Sequence, residues 1–94
     1  MIGEMMKLWV DDLRDAPDDS WTVARTSAEA IELLVKRGHE CLEVSLDHDL
    51  GGDDTTRPVV LWMCENVYPR DIHVHTANPV GREWLEGMIA RYLT

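Results

Sequence analysis

The chain has 94 residues, 45% hydrophobic and 29% charged, which is ordinary for a single globular domain and too little for two separate cores. Disorder and collagen-like repetition are excluded. Nine Lys+Arg against 18 Asp+Glu leave a formal net charge of −9, which repels a long duplex polyanion but not one compact phosphate held by a cation or a local arginine.

At the N-terminus, Glu4 stands where a signal peptide would be apolar, and the expected location is the cytoplasm. Residues 7–10 form an apolar-rich run that ends in Asp11 and Asp12, the pattern of a buried strand delivering two carboxylates at its carboxyl end. Turn-forming residues fill 13–20, and 21–24 make a second short strand. Thr26 with Glu29 is a capping box, and Ala30, Ile31, Leu34 and Val35 form one apolar stripe that Gly38 ends. That segment is a helix.

A third strand over 43–46 leads into Asp47 and Asp49, so the ending of the first strand recurs. Gly51, Gly52, Asp53 and Asp54 make a loop, and Pro58 fits the first turn of a helix that runs to about Asn66. Its apolar run, 59–64, is far short of the ~20 residues of a membrane span, so no membrane partner is expected. Cys41 and Cys64 lack paired ligand spacing and are expected to be reduced thiols. After a connection over 68–71, Ile72, Val74 and Thr76 alternate with His73 and His75 in a fourth strand. Asn78 and Pro79 then cap a C-terminal helix whose face carries Val80, Trp84, Leu85, Met88, Ile89 and Tyr92.

Alternating strands and helices predict an α/β fold with a mostly parallel four-stranded sheet whose carboxyl edge carries the chemistry. Asp11, Asp12, Asp47 and Asp49 would repel one another if dry and unpaired, so their convergence favours a divalent cation with oxygen ligands, Mg²⁺ or Mn²⁺. The competing reading is a set of solvated turn aspartates. The DxD string at 47–49 ends the third strand, not the first, which excludes a haloacid-dehalogenase arrangement. His48 and His75 are candidates for acid and base in phosphodiester cleavage, against the alternative of hydrogen-bonded structural histidines. Asn78 and Arg82 at the start of the last helix, with Arg14 after the first strand, are candidates for seating a phosphate. The four tryptophans read as core.

The strings LWVDDLR, SLDHDLGGDD and VHTANPVGR together resemble the cyclic-phosphate processing receiver family, a reduced relative of response-regulator receiver domains. The resemblance covers 7 to about 91 and implies a small flavodoxin-like, three-layer sandwich, truncated relative to a full receiver, as a single domain over 1–94. It implies processing of cyclic phosphate ends on RNA or nucleotides, with Asp11 and Asp12 as the acidic metal pair. Asp47 then matches the phosphoacceptor position and the catalytic carboxylate, and Thr76 the switch hydroxyl that contacts phosphate. Two features depart from a receiver: no lysine-bearing fifth strand follows the last helix, and 11–20 is too short for a first helix. Residues 55–58 also replace an expected glycine-aromatic-aspartate stretch. A receiver-like strand order 2-1-3-4 leaves the fourth strand as an edge, expected to be covered by a second copy in a homodimer. A non-catalytic module that binds a nucleotide, metal or protein partner is the alternative function.

Overall fold

The computed structural model describes residues 5–66 and 69–93. Glu4 and Tyr68, used above for the leader and for the connection, lie outside them. Four strands, β1 (Met6–Val10), β2 (Trp21–Ala24), β3 (Cys41–Leu46) and β4 (Asp71–Val74), form one sheet in the order β2-β1-β3-β4. Every pairing is parallel. This is the sheet of a small receiver-like flavodoxin fold.

Partners across a parallel ladder share a face, so the register sorts the side chains. Val10 pairs with Ala24 and Leu46, Leu8 with Val44, and Val44 with Ile72, which makes one apolar face. Against it lie the helices α1 (Ser27–Arg37), α2 (Arg57–Glu65) and α3 (Pro79–Tyr92), α1 touching α2 and α2 touching α3. Ala30, Leu34, Val59, Val60, Met63 and Leu85 from these helices join Leu8, Val10, Val44 and Leu46 in one buried cluster. Each fully buried Val, Leu or Met side chain there contributes roughly 1.5–3 kcal/mol of transfer free energy. The opposite face carries Lys7, Trp9, Trp21, Glu43, Ser45 and His73, and among the described residues no helix covers it. The layer beyond that face is reduced to the loop over 11–20, because ten residues are too few for a helical crossover.

Several boundaries differ from the sequence expectation for physical reasons. β4 stops at Val74, two residues before Thr76, because its neighbour β3 ends at Leu46, whose carbonyl takes one last hydrogen bond from His75 N–H. Thr26 Oγ1 accepts from the Glu29 N–H at 3.1 Å as a cap should, but the return bond reaches Arg25 N, at 2.9 Å, one residue before the usual partner. α1 then passes into a 3₁₀ turn, Gly38–Glu40, before β3. Asn78 caps α3 by accepting from the Val80 and Gly81 N–H groups at 3.0 and 3.1 Å, with Pro79 in the first turn as expected.

The loop between β3 and α2 is tied to α1 by a distant cap. Asp54 accepts from the Ser27 backbone N–H at 2.9 Å and from the Ser27 hydroxyl, placing a carboxylate at the positive end of α1. Leu50 N–H and Asp54 O close the turn at 2.9 Å, and Gly51 and Gly52 supply its positive φ values of 91° and 56°. Asp54→Ala is therefore expected to lower the unfolding free energy by about 1–2 kcal/mol in urea, with an unchanged slope. A change within about 0.3 kcal/mol, inside the scatter for surface substitutions, would show that water replaces the cap.

Candidate functional site

Three main-chain hydrogen bonds carry the ladders one residue past the strands. Asp11 N–H donates to Ala24 O at 3.1 Å, Asp47 N–H to Val10 O at 2.9 Å, and His75 N–H to Leu46 O at 2.9 Å. The residues that follow β1, β3 and β4 are thereby fixed at one level of the carboxyl edge.

Asp11 is almost fully buried, at 1% exposure. Its Oδ1 accepts from the Leu13 and Arg14 backbone N–H groups, each at 2.9 Å, and its Oδ2 lies 3.0 Å from His75 Nε2. Burial, the largest influence, pushes the carboxyl pKa up, but the Arg14 and Leu13 N–H groups and His75 outweigh it, and Asp11 lies below its ordinary value. The charged form is the stable one. The His75 ring is held on every side: Nδ1 is 2.8 Å from Ser45 Oγ, and the ring stacks on Trp9 at 3.9 Å and 6°. Facing an ionised carboxylate, neutral His75 must carry its hydrogen on Nε2 and accept from Ser45 on Nδ1. Burial holds its pKa below 6.5, against the raising influence of Asp11 and Asp47.

The loop that replaces a first helix is built around one carbonyl. Arg14 O accepts from Trp9 Nε1 at 3.0 Å and from Arg25 Nη1 at 2.9 Å, while Arg25 also donates to Asp11 O at 3.1 Å. This turns the Arg14 side chain over the edge, where Nη1 donates to His75 O at 3.2 Å.

A cleft of about 320 Å³ opens there, lined by Asp12, Arg14, Asp47, Asp49, Thr76 and Asn78 with Leu13, Gly51 and Ala77. Asp11, Asp12 and Asp47 each place one oxygen within 4.8 Å of the others. A Cβ at Gly51 would stand 3.2 Å from Asp12 Oδ2, so the loop approaches the acids as closely as only glycine allows without a shift. Three carboxylates and a bare backbone are a donor set that fits a hard divalent cation. Asp49 is outside this trio: its oxygens go to His48 Nδ1 and to Asn78 Nδ2, both at 3.0 Å. The Asn78 and His48 hydrogen bonds, in that order, draw its pKa below the ordinary value.

The remaining candidates lie behind the cleft. His48 is 5% exposed, and its Nε2 lies 2.9 Å from Arg57 Nε. Its ring fills the space a Cβ at Gly81 would need, 2.3 Å from Cγ, so the start of α3 packs directly on the imidazole. Arg82 turns outward, donating to Thr76 O at 3.0 Å and pairing with Glu86 at 3.4 Å.

Sequence reasoning passed over Trp9, Ser45, Arg25 and Arg57. Trp9 and Ser45 pair across the ladder on the helix-free face, but the continuous apolar run of β1 hides that alternation. Arg25 directly follows β2, a position at the carboxyl edge that could have marked it.

An all-parallel sheet in this order, with acids from β1 and β3 meeting at its carboxyl edge, defines a receiver-like domain. The chain belongs to the cyclic-phosphate processing receiver domain family, whose model matches residues 6–91. Searches of curated proteins and of solved structures each found no match. Among the described residues, no helix is long and apolar enough to cross a membrane.

The His75 setting has a consequence for stability. Because its folded pKa lies below the unfolded value, stability from the neutral ring is complete above about pH 6.5 and is lost as pH falls through the folded pKa. Asp11 acts in a separate window, below its ordinary 3.8. In chelator-treated protein, wild type should lose more unfolding free energy than His75→Gln between about pH 7.5 and about pH 5.5. Parallel curves for the two proteins would remove His75 as the source.

Proposed function

We propose that this domain is a phosphoesterase that opens or removes terminal cyclic phosphates on RNA or nucleotides, and that the cleft at the carboxyl edge is its site. The observation that carries the reading is one cleft bounded by acids from two strand ends together with a guanidinium, a hydroxyl and an amide. The family description supports the substrate class. Asp11, Asp12 and Asp47 would hold Mg²⁺ or Mn²⁺, which when bound supplies charge neutralisation for the phosphate and a more acidic water.

The residues of the chain supply the rest. Arg14, anchored at one corner on His75 O, presents its other N–H groups to phosphate oxygens, with Thr76 and Asn78 beside it. Asp47 takes a proton from the water that attacks phosphorus. One P–O bond to ribose breaks as the new P–O bond forms, and the proton on Asp47 returns to the departing ribose oxygen. A terminal phosphomonoester and a free hydroxyl result. His75 keeps Asp11 ionised and oriented, since its Nε2–H is spent on that carboxylate.

One observation favours a second reading, a module that binds a nucleotide, metal or protein partner without turnover. Both ring nitrogens of His48 and of His75 are hydrogen-bonded within the protein. Neither imidazole is poised to exchange protons with a ligand.

A panel of 2′,3′-cyclic and linear nucleotide phosphates, incubated with and without Mg²⁺ or Mn²⁺ and resolved by product analysis, separates the readings. Metal-dependent opening of a cyclic phosphate is expected, falling about a hundredfold or more in Asp47→Asn while circular dichroism stays unchanged. Saturable binding with no product would establish the second reading instead.

A further inference from the structure

A hydrogen-bonded chain runs through the protein behind the cleft. Arg57, at the start of α2, lies over the Trp84 ring with its Cζ 4.8 Å from the centroid, and its Nε donates to His48 Nε2 at 2.9 Å. A guanidinium never accepts, so His48 Nε2 must be the acceptor and the ring hydrogen must sit on Nδ1, facing Asp49 Oδ1 at 3.0 Å. Asp49 Oδ2 in turn accepts from Asn78 Nδ2 at 3.0 Å, and Asn78 Oδ1 caps α3. Gly81 packs so closely on the same imidazole that a Cβ there would stand 2.3 Å from its Cγ. Only the far end of the chain, Asp49 and Asn78, lines the cleft.

We propose that Arg57 is a positioning residue for the cleft: through His48 it sets the orientation of Asp49 and thereby of the Asn78 amide that faces a bound phosphate. With Arg57 in place, His48 is held in one tautomer, and that tautomer gives Asp49 a donor on Oδ1 and leaves Oδ2 for Asn78. Without it, the Nε2–H form becomes available, the Asp49 contact loses its donor, and Asn78 Nδ2 loses a fixed acceptor while its Oδ1 stays in the α3 cap. The inference rests on the reading of the cleft as a phosphate site, and Arg57 itself touches no ligand.

The test uses ¹⁵N-labelled protein and long-range proton–nitrogen correlation of the imidazoles. Wild type is expected to show His48 as the Nδ1–H tautomer, and Arg57→Met to show a substantial Nε2–H population with a displaced Asn78 side-chain amide signal. Affinity for a 2′,3′-cyclic mononucleotide should weaken about tenfold in Arg57→Met, the worth of one hydrogen bond. Arg91→Met, which removes the other arginine of a groove that Arg57, Trp84, Met88 and Arg91 line outside the cleft, should leave all three readouts at wild-type values. A persistent Nδ1–H tautomer, an unmoved Asn78 signal, or equal weakening in both variants would overturn the proposal. If wild type binds no cyclic nucleotide, the phosphoesterase reading fails, while the tautomer and the Asn78 signal in ligand-free protein still decide the role of Arg57.

Discussion

The site depends on where three parallel ladders end. β1, β3 and β4 are each followed by one more inter-strand hydrogen bond, at Asp11, Asp47 and His75, before the chain leaves the sheet. Main-chain bonds of this kind are set by the register of the whole sheet, and the register is set by which residues of Leu8, Val10, Val44 and Leu46 reach the core. A slip of one residue in any strand would turn these side chains to the helix-free face and carry its carboxylate or imidazole to another level. The geometry of the acids is thus enforced by apolar burial some distance below them.

That enforcement is needed because the acids resist it. Asp11, Asp12 and Asp47 present oxygens within 4.8 Å of one another, with Asp11 out of contact with water. Left to themselves, such carboxyls would take up protons or move apart. The protein prevents both for Asp11 by aiming two backbone N–H groups and the His75 ring at it. The two N–H donors come from the loop over 11–20, which explains why that loop is so heavily tied. Trp9 and Arg25 clamp the Arg14 carbonyl, and that clamp presents the Arg14 and Leu13 N–H groups to the buried carboxylate.

Sequence patterns carried the element order and the parallel sheet well, because those follow from apolar periodicity, Thr26, Pro58, Asn78 and short connections, while the strand order came from the receiver resemblance. They also brought Asp11, Asp12 and Asp47 together, since a strand that stops at aspartate announces its edge. What they could not distinguish was which side of that edge each neighbouring residue serves. His48 and Asp49 follow Asp47 directly, yet His48 turns into the protein and meets Arg57, a residue nine positions away at the start of α2. The outward turn of Arg82 has the same origin: Thr76 O captures its guanidinium, and no local pattern records a carbonyl left over at a strand end. Side-chain direction at the edge is decided by tertiary acceptors, to which periodicity is blind.

The helix-free face adds a further constraint. Parallel sheets are ordinarily covered on both sides, and here Lys7, Trp9, Trp21, Glu43 and His73 must serve in place of a helix. They do so by pairing among themselves: Lys7 lies 4.5 Å from the centroid of the Trp21 ring, and His73 meets Glu43 at 2.9 Å. Trp9 meets the Trp21 ring edge to face, 5.7 Å between centroids, and is buried further by the loop and by the His75 ring. The loop over 11–20, which stands where a crossover helix would run, packs its Arg14 carbonyl on Trp9, and His75, stacked on the same indole, reaches Asp11, the most deeply buried of the three acids.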